Sequence, residues 1–139
     1  MTRAAAFILA GMTMAGAAVI AAPPKPAALA QAAPGLWEVA GYPGAKEPAR
    51  ECVADLAQLA QYEHRRQRCT SSLVSDRPPS TTIEYSCQGG GFGRSTLTMI
   101  TPRSLRVETQ GISDNLPFNY VLQARRVGDR PPRSSASAR

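Results

Sequence analysis

The sequence predicts a mainly β fold: a single curved antiparallel sheet, a meander of about six strands with one short helix, preceded by a signal peptide and followed by a disordered tail. Three observations predict it. Between Pro34 and Val127, apolar and polar residues alternate over short runs, the period of a half-buried strand. Short Gly- and Pro-rich segments separate the runs and suit turns between antiparallel neighbours. Only the stretch after Asp55 changes to helical spacing.

The chain of 139 residues divides into a signal segment (1–30), a β-rich exported domain (31–127) and a tail (128–139). Met1-Thr2-Arg3 is a basic start, Ala4 to Ala22 is uncharged and apolar, and Ala28-Leu29-Ala30 is a small-x-small cleavage site. An uncleaved membrane anchor is the rival reading, and the Ala/Gly content and the nearby cleavage site weigh against it. The domain is expected in the periplasm or secreted, with no stable membrane anchor after cleavage. From Gly128 onward no large apolar residue is left to bury.

Pro34-Gly35 turns into a first strand, Leu36–Ala40, with Trp37 and Val39 on one face. Trp37, the only tryptophan, suits the core or the lining of a groove. Gly41–Pro48 reads as a loop. Asp55 can cap a helix, with Gln58 placed for a capping box. Leu56, Leu59, Ala60 and Glu63 then recur at helical spacing. His64-Arg65-Arg66 and Arg68 fall at its C-terminal end, where cations complement the helix dipole.

The next strands form a hairpin whose register follows from its turn. Folding back at Pro78 pairs Asp76 with Ser80, Leu73 with Ile83, and Cys69 with Cys87. Both sulfurs then lie on one face, close enough to bridge after a small adjustment. Cys52–Cys69 is the competing pair. With three cysteines, one thiol stays free, and the first arrangement leaves Cys52 as a shielded free thiol. Gln88–Gly93 reads as a flexible connection, since it lacks the Lys and Ser/Thr of a phosphate-binding loop. Arg94–Thr101 and the run with Leu105, Val107 and Thr109 alternate around a turn at Pro102. The last strand places Phe118, Tyr120 and Leu122 on one face.

Several of these features together resemble a family of small exported bacterial proteins, a domain of unknown function numbered family 3617. They are the Pro34-Gly35-Leu36-Trp37-Glu38-Val39 opening, a cysteine ahead of a short helix at Cys52, the Cys69-to-Cys87 hairpin and the alternating strands after it. The resemblance spans most of residues 34–127. Family members usually follow the first cysteine with Leu-Thr-Pro-Glu. Here Val53-Ala54-Asp55-Leu56 stands instead, so Asp55 replaces the family's Thr cap. The resemblance implies a periplasmic β-rich domain and supplies no catalytic residue.

The chemistry-bearing residues are sparse. There is no Ser/His/Asp set in a recognisable context, no zinc spacing and one histidine, His64, next to arginines. These observations argue against an enzyme, a cofactor and a metal. Loss of Arg3 and Lys25 with the signal leaves 14 basic and 10 acidic residues, net +4, spread along the chain. With export, that balance argues against nucleic acid as a partner. Two functions remain. The first is a binding module whose apolar concave face holds a small apolar ligand, with Trp37, Tyr85, Met99, Phe118 and Tyr120 as the face. The second is a protein-interaction or cell-envelope structural module using strand edges or the basic helix end. A filled core favours the second and a dry cavity the first.

Overall fold

A computed structural model of the protein describes residues 16–17 and 25–131. Most of the expected signal segment, and residues 132–139 of the expected tail, lie outside the described residues. In chain order the strands are β1 (Gly35–Ala40), β2 (Ala49–Val53), β3 (Cys69–Arg77), β4 (Ser80–Cys87), β5 (Phe92–Thr101), β6 (Ser104–Ser113) and β7 (Leu116–Gly128). They form one unclosed antiparallel sheet of seven strands, ordered β2-β1-β7-β6-β5-β4-β3.

The mainly β fold is as the alternation requires, with one strand more than expected. β2 was missed because its five residues, Ala-Arg-Glu-Cys-Val, carry two charges and no β-rich run. Its pairing with β1, Trp37 opposite Glu51 and Leu36 opposite Cys52, makes it a strand. The helix occupies Leu56–His64 and is of the tighter 3-10 type, with a kink at Gln61. The Asp55 carboxylate accepts the Ala57 N–H at 3.0 Å, the expected cap. At the other end Arg65 donates to the Tyr62 carbonyl at 2.9 Å, satisfying a terminal acceptor.

In the hairpin, Cys69 faces Cys87 and Leu73 faces Ile83 as derived. Asp76, however, faces Thr81 and not Ser80, because a bulge between Leu73 and Ser75 inserts one residue into β3. The Gln88–Gly91 connection is a hydrogen-bonded turn and not a loose link. Cys87 N–H donates to the Gly91 carbonyl at 2.7 Å, and Gly89 and Gly90 hold the positive φ values (115° and 95°) that favour glycine.

Leaving edge strand β2, the chain crosses one sheet face as the helix over β4, β5 and β6, then enters the other edge strand β3. Between helix and sheet lie Trp37, Leu56, Leu97, Leu105, Val107 and Leu122, each 0% exposed. Full burial of each such side chain contributes roughly 1.5–3 kcal/mol.

The folded body starts before Gln31. A 3-10 turn at Ala27–Leu29 sets Ala28, Leu29 and Ala32 into the core. The Ala27 and Ala28 N–H groups donate to the Asp76 carboxylate at 2.7 and 3.1 Å. At the other end β7 pairs Gly128 with Leu36, and Asp129 binds Arg126 at 2.7 Å, so ordered pairing passes Val127.

Candidate functional site

The five residues expected to line an apolar face share the covered side of the sheet, but only Tyr85 and Phe118 border a common cavity. Of the two places offered for Trp37, core or groove lining, it takes the core: it is fully buried and its Nε1–H donates to the Ala33 carbonyl at 3.2 Å. Tyr85 is buried, and Met99 and Tyr120 pack half-buried against the core. The Phe118 ring lies between His64 and Tyr120, with centroids 5.8 and 5.7 Å away. The helix and the segment at Ala27–Ala32 fill the space these residues would have enclosed.

A polar cluster lies under the helix. His64 lies in the last turn of the helix, as expected, and is buried, with its Nδ1 3.1 Å from the Tyr85 hydroxyl. Its Nε2 has no partner and lies against Gly91, where any side chain would clash with the ring. Ser95 Oγ lies 2.7 Å from Thr109 Oγ1 and also bonds the Ala60 carbonyl, joining helix to sheet.

Burial, with a smaller push from the Glu63 charge, raises the Tyr85 phenol to about 12. Burial, then the Glu63 carboxylate to which its hydroxyl donates at 2.8 Å, raises Tyr120. Because the folded value for Tyr85 exceeds the ordinary ~10, its contribution is fully present below pH ~10 and is lost as pH rises through about 12. Thermal midpoints should therefore fall over that window. The tyrosinate absorbance of Tyr85 and Tyr120 should appear only as the fold is lost. Free titration of all four tyrosines at pH ~10 with no fall in midpoint would contradict the cluster.

Near the helix C-terminus, Tyr42 meets Tyr62 and Tyr120 edge-on at 5.8 and 5.5 Å. The Arg65 guanidinium stacks 4.4 Å over Tyr62 and 5.1 Å over Tyr42. The Tyr62 hydroxyl donates to Glu51 at 3.1 Å, tying the helix to β2. Among the described residues no three His, Cys, Asp or Glu side chains stand close enough to share a metal ion.

The least satisfied region is edge strand β3. It pairs on one side only, with β4, and is exposed along most of its length, with Leu73 and Val74 at 52% and 44%. The Cys69–Cys87 disulfide pins one end and the Asp76 contacts to Ala27 and Ala28 pin the other. Beside β3 an open groove of about 410 Å³ runs between Ser71–Leu73, Ile83, Pro26, Pro34 and the helix start at Leu56. A second, more open depression of about 720 Å³ lies around Phe92, Ile112 and Pro117, and two of the expected face residues, Tyr85 and Phe118, border it. Cys52 stays free but is exposed on β2, a correction to the shielded thiol; its outward place follows from the β1–β2 pairing.

Sequence reasoning missed the β3 edge because strand order is invisible in alternation. The one available signal was that Thr70–Ser75 carries no charge. No family model matches this chain, and no curated protein or solved structure matches it.

Proposed function

We propose that this chain is an exported, non-catalytic interaction module that binds another polypeptide by adding it as a strand to the free edge of β3. The observation that carries this reading is the contrast between the two sheet edges. β2 is short, and its charges are engaged: Arg50 lies 4.0 Å from Glu38, and Glu51 accepts from Tyr62. Short, charged edges resist pairing. β3 has nine residues, carries no charge from Cys69 to Ser75 and leaves one row of N–H and C=O groups unpaired. Such an edge supplies main-chain hydrogen bonds to an incoming strand, and a flanking groove can select its side chains.

Export is supported by the basic-then-apolar N-terminal sequence and by the Cys69–Cys87 bridge, which fits an oxidising compartment. The resemblance carried by Pro34–Val39 points the same way. The non-catalytic reading is supported by the position of His64, enclosed beneath the helix and bonded to Tyr85. A second reading, a small apolar ligand, is favoured by the groove beside Leu73 and Ile83 and not by the face at Trp37.

A photo-crosslinking residue at Ser72, on the β3 edge, tests the first reading against the same residue at Gln123, mid-sheet and exposed. In cells exporting the protein, a polypeptide adduct is expected from position 72 and not from 123. Adducts from neither position, with a small molecule seen instead by native mass spectrometry, would replace strand addition with ligand binding.

A further inference from the structure

We infer that the protein carries a second site, for a neutral oligosaccharide, in the depression of about 720 Å³ that crosses β4 to β7. It is separate from the β3 edge and does not rest on the strand-addition reading. Its lining comes from three neighbouring rows of the sheet. Glu84, Arg94, Gln110 and Asn119 pair across the four strands as one row, and all are exposed. Two residues along the strands, Phe92, Ile112 and Pro117 form a second row on the same face. The row between them, Tyr85, Gly93, Gly111 and Phe118, alternates to the other face. There the Tyr85 and Phe118 rings meet His64, and a side chain on Gly93 or Gly111 would strike them. The depression is therefore a trough on the face away from the helix, with a polar wall, an apolar wall and the middle row as its floor.

The polar wall neutralises itself. Arg94 Nε lies 3.1 Å from the Glu84 carboxylate, and in the rows beyond Arg106 and Glu108 pair at 3.0 Å. Asp114 sits in the β6–β7 turn, outside the lining. A lining without net charge favours neither an anion nor a cation. It offers donors and acceptors side by side: two amides, a guanidinium and a carboxylate. Hydroxyl groups both donate and accept, so a polyhydroxyl ligand matches this row, and each planar end group can hold two neighbouring hydroxyls. The other wall asks for an apolar surface, with Phe92 51% exposed. A pyranose ring has both characters, hydroxyls around its rim and C–H bonds on its faces. Its rim suits the polar row, and its face suits the Phe92 ring. A wholly apolar ligand would bury the polar row unpaired. Four strands span three gaps, roughly 14 Å at ~4.8 Å each, the length of a short oligosaccharide and not of one sugar.

The test uses the full exported protein and three neutral tetrasaccharides: cellotetraose, maltotetraose and chitotetraose. The acidic tetramer of galacturonic acid, the cationic tetramer of glucosamine and the apolar probe N-phenyl-1-naphthylamine serve as rivals. Amide NMR shifts give both the affinity and the place of binding. At least one neutral tetrasaccharide should bind with a Kd of about 1 mM or tighter and move the amides of Phe92, Gly93, Gly111 and Asn119. The charged tetramers should bind no more tightly than it. Phe92→Ala and Asn119→Ala alter exposed side chains on the two walls. Each, checked for an unchanged thermal midpoint, should weaken binding about tenfold.

Absence of binding by all three neutral tetrasaccharides would overturn the proposal. Tighter binding of the acidic or the cationic tetramer would overturn it too, by showing that charge and not the hydroxyl pattern is read. Shifts from the naphthylamine alone at these amides would assign the trough to an apolar ligand. Sugar shifts confined to β3 amides, or affinities unchanged in both variants, would place the sugar elsewhere and remove this site.

Discussion

A chain beginning at Gln31 should melt at least ~12 °C below one beginning at Lys25. The difference is Leu29 and its turn. Leu29 is 0% exposed in the core, and Ala28 is buried beside it. Truncating a buried leucine to alanine costs about 2–5 kcal/mol, and here the whole side chain and its backbone are lost. Asp76 also loses the Ala27 and Ala28 N–H donors, and hydrogen bonds to a charged group contribute about 1.5–3 kcal/mol each before water replaces them. A combined loss of at least ~3 kcal/mol is a large share of the ~5–15 kcal/mol of a small domain, and each kcal/mol moves its midpoint about 4–8 °C. Scanning calorimetry of the two chains, with Leu29→Ala in the longer one as an intermediate, decides this. Equal midpoints would show that the segment is a dispensable leader remnant. Because Leu29 packs in the core, terminal sequencing of the protein recovered from cells is expected to find Leu29 retained.

Loss of the Cys69–Cys87 bridge should be the next largest effect. The two residues are 18 apart, and closing a loop of that size restricts the unfolded chain by about 3 kcal/mol in the entropy model. The bridge also ties Arg68 and Gln88, whose backbones are hydrogen-bonded at 2.9 Å, where β3 begins. Replacing either cysteine by serine should lower the midpoint by roughly 10 °C or more. Cys52→Ser should leave it within error, since Cys52 is exposed on the opposite edge of the sheet. Non-reducing peptide mapping gives the pairing independently. A cross-linked peptide containing Cys52, or a destabilised Cys52→Ser variant, would reverse the assignment.

Alternation and turn chemistry made much of the fold legible before any coordinates. The Cys69–Cys87 and Leu73–Ile83 pairings followed from a single turn at Pro78, because a hairpin's register is local. The derivation failed nearer the turn, where Asp76 pairs with Thr81, since a bulge leaves no mark in the period. Asp55 was readable as a cap because capping joins residues two apart. The candidate site was barely legible. Of the residues singled out for an apolar ligand face, Trp37 is core, Met99 and Tyr120 pack against it, and Tyr85 and Phe118 border an open depression, because alternation states which residues share a face and not what covers it.

By itself, then, the sequence determined the alternation of β1 and β4 to β7, the hairpin register that sets Cys69 opposite Cys87, and the place of the helix, all set by interactions over short separations. The tertiary structure alone decided the rest. It made a strand of Ala49–Val53 by pairing it with β1, a core residue of Leu29 and a buried one of His64. It also decided which edges stay open, since β1 pairs with β7 across most of the chain and leaves β3 outermost. These outcomes depend on partners far away in sequence, and burial and strand order are properties of the assembled sheet that no local pattern encodes.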